Sequence, residues 1–233
     1  MKKYELTEET TNIFGKTLHR IRATRDFSNV HAGDLGGFIE DERNLSHDEN
    51  AWVGDEARVD GNALVYGNAW AYGEARVSGN ALVSGDARVS GEALVSDDAR
   101  VGGKALVSGN ALVYGKALVY GKALVGDNAW AYGDARVCGK ALVSGDARVC
   151  GKALVKGTRD IYWISCIGSR DGTTTFFRNA DNGISVSCGC FYGTIDEFAA
   201  AVTKTHGDNE HAQAYRHAIE IAKLRIKLED TES

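Results

Sequence analysis

The chain has 233 residues, with 27 Lys and Arg against 32 Asp and Glu, a formal net charge of −5 and no proline. That balance excludes a generic nucleic-acid binder, whose affinity rests on many cationic contacts to phosphate. No apolar run is long enough to cross a membrane, no signal-type apolar segment follows Met1-Lys2-Lys3-Tyr4-Glu5, and five cysteines fit no small disulfide framework, so the expectation is a cytosolic protein with reduced thiols and no membrane association.

In chain order, residues 1–50 are expected to form an N-terminal β cap and lead-in. A strand near 3–6 is followed by Ile13-Phe14, a Gly15-Lys16 turn and a strand over 17–23. Gly33, Gly36 and Gly37 do not make a phosphate-binding Gly-x-Gly-x-x-Gly pattern, and they read as turns.

From Ala51 to Lys156 the chain is eighteen hexapeptides in unbroken register. Alanine recurs at every sixth position from 51 to 153, and valine stands two residues later except at Ala71 and Ala131. A short strict period of this kind marks a β-solenoid, in which each unit is stable only when stacked on its neighbours. Within Ala-x-Val the first and third residues share one face of a strand. The middle position holds Arg at 58, 76, 88, 100, 136 and 148, and guanidinium groups cannot line a narrow core, so Ala and Val point inward and the middle residue outward. The Gly that follows supplies the positive φ of a corner, and Asp55, Asp97 and Asp127 replace it where it is missing. Three hexapeptides make one triangular coil, giving six coils over 51–157 and a prism roughly 29 Å long.

This pattern resembles the left-handed parallel β-helix of the hexapeptide-repeat superfamily, as in Ala81-Leu82-Val83 and Ala111-Leu112-Val113. The glycine two residues after valine is more similar to the repeats of YdcK-like proteins and of hexapeptide proteins encoded by bacterial phages and prophages. The lead-in 32–40 with Asn44-Leu45-Ser46 resembles that group too. What the resemblance implies is a mainly β fold of phage or prophage origin in a bacterial cytoplasm, with a host protein, such as a defence factor, or its nucleotide signal as partner. Because the same helix carries acyltransferases and non-catalytic scaffolds, the fold alone does not choose between them.

After Gly157 the period stops, and residues 158–233 read as an α+β domain. Strands are expected at Ile161–Ile167, 173–178 and 184–192, making a three-stranded meander. The capping box Thr194-Ile195-Asp196-Glu197 opens a helix to about Thr205. A second helix begins at Asp208 or Asn209 and runs to about Lys227, with Tyr215, Ala218, Ile219, Ala222 and Ile226 as its apolar stripe.

Twelve of the eighteen outward positions of the repeat are Leu or Trp, and apolar surface on that scale marks an interface. Two patches stand out: Trp52, Trp70 and Tyr72, continued along the same face by Leu106, Leu124 and Leu142, and Leu112, Tyr114, Trp130 and Tyr132 on the next. The expectation is a homo-oligomer, dimeric or trimeric. One corner stacks Asn50, Asn68, Asp86, Lys104, Lys122 and Lys140; the three lysines are a candidate anion site, against the alternative of a solvated corner. Ser169 and Arg170 in a Gly-flanked loop are a second such candidate, against a plain polar turn.

Hexapeptide acyltransferases use a histidine base near a coil junction. Here the six histidines are His19, His31, His47, His206, His211 and His217, and none lies between 48 and 205. The reading is therefore a non-catalytic binding or scaffold protein without cofactor; an acyl-CoA-dependent acyltransferase and a structural virion component are the alternatives. Cys188-Gly-Cys190 with Cys166, His206 and His211 has the wrong spacing for a zinc ribbon, and the two cysteines of the pair are expected on one face of a strand as small core residues, so no metal is expected. Cys138 and Cys150 take outward slots on different faces and cannot pair within one chain.

Overall fold

The computed structural model describes residues 2–229. Strands β1 (Tyr4–Ile13) and β2 (Lys16–Ala23) form an antiparallel hairpin, and β3 (Leu35–Ile39) pairs with β2. The turn is Phe14-Gly15, both at positive φ (49° and 80°), the geometry that matches the twist of a two-residue hairpin. Eighteen two-residue strands follow, β4 (Trp52–Val53) through β21 (Leu154–Val155), one per hexapeptide.

They stack in parallel into three sheets, each advancing by one coil. The first face carries Trp52, Trp70, Arg88, Leu106, Leu124 and Leu142 outward, the second Arg58 through Arg148, and the third Leu64 through Leu154. Every repeat alanine and valine is at most 1% exposed, so the prism interior is a close-packed column of methyl and isopropyl groups. The amide of one coil donates to the carbonyl of the next, as in Trp70 to Ala87 (2.9 Å) and Tyr72 to Val89 (3.0 Å). The result is the mainly β, parallel β-helix fold expected, with two α-helices confined to the C-terminal region.

The corners behave as their chemistry dictates. Asp55, Asp97 and Asp127 hold φ of 51°, 58° and 54°, and each carboxylate accepts a hydrogen bond from the corner amide one coil later, at Gly73, Gly115 and Gly145. Beside them run amide ladders: Asn50 donates to Asn68 (3.0 Å) and Asn68 to Asp86 (3.1 Å), with equivalent ladders from Asn62 to Asp98 and from Asn110 to Asp146.

The solenoid begins before the first hexapeptide. Gly36 and Gly37 lie in β3 rather than in turns, and β3 pairs in parallel with β5 (Arg58–Val59) as part of an incomplete preceding coil, to which Leu45 adds a bridge to Val65. These glycines serve close approach: a Cβ on Gly37 would meet the Ala57 carbonyl at 2.4 Å, and one on Gly36 the Val53 carbonyl at 2.5 Å. Lys3 is fully buried across the open end, donating to the Ala51 carbonyl (2.7 Å), while the Asn44 amide donates to the Gly61 and Ala63 carbonyls (3.0 and 2.8 Å).

At the other end β22 (Ile161–Ile167), β23 (Gly172–Arg178), β24 (Ile184–Cys188) and β25 (Phe191–Thr194) form an antiparallel meander of four strands, not three. The expected third strand is broken at Gly189 (φ 58°), which turns the chain so that Cys188 is half-buried and Cys190 exposed; the pair is not a core pair on one face. Strand β23 serves two cores, with Phe177 packed on the last coil and Phe176 under the helices α1 (Ile195–His206) and α2 (Glu210–Arg225). Both helices start where expected. The Thr194–Glu197 capping box is formed and Asn209 caps α2, whose apolar stripe is buried as a whole.

Asp97 offers a direct test of the corner chemistry. Asp97→Ala is expected to lower stability in urea by about 1–2 kcal/mol, because it removes a charge-assisted bond and leaves a Cβ at positive φ. Asp97→Gly loses the same bond but relieves the strain, and should fall within about 0.5 kcal/mol of wild type. Equal damage by both substitutions would contradict this account.

Candidate functional site

Residues 27–35 leave the cap hairpin and overhang the first face. The overhang is closed by reciprocal backbone bonds between Phe27 and Val30 (3.0 and 2.9 Å) and held down by Phe27, whose ring meets Trp52 edge-on at 5.4 Å. The Lys3 ammonium lies over the Phe27 ring, 5.1 Å from its centroid. Trp52 is consequently only 3% exposed: this member of the expected interface is covered by its own chain.

Between the overhang and the first three coils lies an open cleft of about 730 Å³, within the range of small-molecule sites. Its floor is the half-buried Trp70 and Tyr72, with Arg88 stacked next in register and the edge of Trp52 behind. Its rim is polar: Ser28, Asn29 and Asp34 from the overhang, Asp55 from one corner, and the Asn50–Asn68–Asp86 ladder from the other. Asp34 and Asp55 each engage one carboxylate oxygen, on the His31 and Gly73 amides, and present the second unengaged. Arg88 is exposed and forms no ion pair among the described residues.

The rest of the first face differs. Leu106 and Leu124 are half-buried, Leu142 is 37% exposed, and the strip ends in a mainly apolar cleft of about 310 Å³ lined by Leu142, Ile161, Tyr162 and Trp163, together with Thr158 and Arg225. On the second face Leu112 is half-buried and Tyr114, Trp130 and Tyr132 form one aromatic cluster, with Tyr114 and Tyr132 stacked at 5.0 Å and the Arg148 guanidinium 4.4 Å over Trp130. Burial pushes the Tyr132 phenol and the Cys150 thiol beside it upward, so both stay protonated at neutral pH. Cys138 and Cys150, although in outward slots, are buried.

Lys104, Lys122 and Lys140 are exposed in one corner row, and Lys140 borders a shallow depression with Lys156 and Arg159. Ser169 and Arg170 occupy the exposed turn between β22 and β23, and no hydrogen bond or ion pair among the described residues joins them to the lysine row. The His47 ring stacks on Tyr4 at 4.3 Å and its Nδ1 accepts the Lys3 amide, while its buried Nε2 has no hydrogen-bond partner among the described residues; burial lowers its pKa. No group of three His, Cys, Asp or Glu among the described residues is placed to hold a metal, and no helix among them is long and apolar enough to cross a membrane. The Asn50–Asp86 row and Trp70 were visible from the repeat; the overhang was not, because nothing periodic announces residues 27–35.

Three stacked sheets of two-residue strands around an Ala/Val column define a hexapeptide-repeat parallel β-helix. The family model for the YdcK β-solenoid repeat matches residues 75–91 and 105–121, and together with the stacked parallel coils this match supports a hexapeptide-repeat, YdcK-like β-helix. No curated protein matches the chain.

The roof of the cleft makes stability depend on pH through Lys3. Burial, reinforced by the Arg25 charge, pushes its ammonium down to about 8 from 10.5. The unfolded chain therefore holds that proton more tightly between those values, and stability rises as pH climbs through the window. In thermal melts from pH 7.5 to below pH 10, where the Tyr4 phenol stays protonated, the gap between wild type and Lys3→Met should change in favour of wild type as pH increases. A gap independent of pH would show that Lys3 is not buried as a charge.

Proposed function

We propose that the chain is a non-catalytic, self-associating scaffold that binds through the sides of its prism, acting in a reducing cytoplasm. The observation that carries this reading is the continuous strip Leu106–Leu124–Leu142, in register on successive coils and continued by Ile161, Tyr162 and Trp163. Closing such a strip against a second copy removes its remaining apolar area from water, at about 25 cal/mol per Å².

The charges beside it favour a symmetric partner. A two-fold axis parallel to the prism sets each corner row against the opposite row of the second copy at the same height. Lys140 then meets Asp146, an opposite charge, while Lys104 and Lys122 meet the neutral amides of Asn110 and Asn128. The unpaired cysteines support the compartment. The engagement of His47 and the lack of any histidine from 48 to 205 count against the acyltransferase alternative. A phage or prophage origin and a host protein or nucleotide signal as target belong to the same proposal, and rest on the family resemblance.

Light scattering with size exclusion tests it. Wild type should elute as a discrete dimer, or as a trimer closed around the same strip, and Leu124→Lys should return it to a single 25.0 kDa chain with its β-sheet spectrum retained. Monodisperse wild-type monomers at tens of micromolar would refute self-association.

A further inference from the structure

We infer that the cleft under the overhang is a binding site for a neutral carbohydrate ring. It concerns the N-terminal half of the first face, and needs only one protomer. Two features of the lining select this class. The floor is aromatic, with the Trp70 indole and Tyr72 phenol half-buried beneath open space, so it favours a ligand with an apolar face. The rim is mixed: carboxylates that only accept, a guanidinium that only donates, and amides that do both, all within one cleft. A hydroxyl both donates and accepts, and adjacent hydroxyls on a saturated ring satisfy Asp86 and Arg88 together while its C–H face lies on Trp70.

The charges discriminate against the competitors. Asp34, Asp55 and Asp86 outnumber Arg88, so phosphorylated nucleotides meet net repulsion. A polyamine or lysine side chain would suit the carboxylates and the rings, but it leaves the Arg88 guanidinium opposed by a like charge. The cleft is also built rather than incidental. The overhang is pinned at Phe27 on Trp52, strand β3 passes so tightly that a Cβ on Gly36 would lie 2.6 Å from the Trp52 ring, and the Asn50–Asn68–Asp86 ladder holds one wall in a single orientation.

The experiment is saturation-transfer NMR and tryptophan fluorescence on the full chain, with methyl glycosides of glucose, galactose, mannose and N-acetylglucosamine and their short β-linked oligomers as probes, and ATP and spermidine as comparators. At least one saccharide should bind saturably with millimolar or better affinity and perturb tryptophan emission. Trp70→Ala should weaken binding tenfold or more. Because Trp70 also packs against the core, the exposed Arg88→Ala and Asp86→Ala provide the same test in chains that keep their fold, each with a loss of about tenfold, while Leu142→Ala leaves binding unchanged. Light scattering of Arg88→Ala should show the wild-type mass, which separates this site from self-association. Absence of saturable binding by every saccharide, or tighter binding of ATP or spermidine than of any of them, would overturn the assignment.

Discussion

A corner at positive φ every sixth residue is the constraint on which the molecule rests. It recurs at Gly61, Gly67, Gly73 and onward to Gly151, broken only by aspartates that adopt the same φ. Without it a two-residue strand could not turn onto the next face, and the alanine–valine column would have no walls. With it, side chains of equal rank lie directly above one another, each coil 18 residues from the last, and the same chemistry is copied along every row. The corners are close as well as bent: a Cβ on Gly79 would lie 2.9 Å from the Asp97 amide. Glycine therefore meets a steric demand and a conformational one at once.

That copying explains how unlike surfaces coexist on one face. The same outward slot holds Trp70, Arg88 and then Leu106, Leu124 and Leu142, so a polar-rimmed aromatic cleft gives way to a leucine strip within a few coils. The adjoining corner row changes in step, from Asn50, Asn68 and Asp86 to Lys104, Lys122 and Lys140. Substitution in an outward slot leaves the interior column and its ladder of backbone bonds untouched. Function can therefore vary along the prism without cost to the fold.

The repeat was legible from its residues because one physical rule acts eighteen times and every error would show as a break in register. Buried Ala and Val, outward Arg and aspartate at the missing glycines all follow from that rule. The helices were legible too, since capping is local: Thr194 with Glu197 and Asn209 with Ala212 lie within one turn. What escaped reading depended on contacts distant in sequence. Gly36 and Gly37 look like turn residues until β3 is laid against the first coil, and Trp52 looks exposed until Phe27 reaches it from 25 positions earlier. The division of 184–192 into two strands rests on a single glycine, Gly189, in a stretch whose composition suits a strand throughout.

One set of inter-coil bonds gives the prism poles. The outward-slot and corner amides of each coil donate to carbonyls of the coil that follows, as in Trp70 to Ala87 and Asn68 to Gly85, so at these positions the first coil turns carbonyls, and the last coil amides, toward the ends. The N-terminal cap answers with donors, among them the Lys3 ammonium, the Phe38 and Glu40 amides and the Asn44 side chain. The C-terminal domain answers with acceptors, Thr175 Oγ1 for Arg148 and the Asp160 carboxylate for Lys156. The two lids are not interchangeable, and a chain stripped of both would carry a plug at one end and its socket at the other. Such particles would join head to tail into open fibres, so the irregular segments that flank the repeat are what keep a periodic body finite.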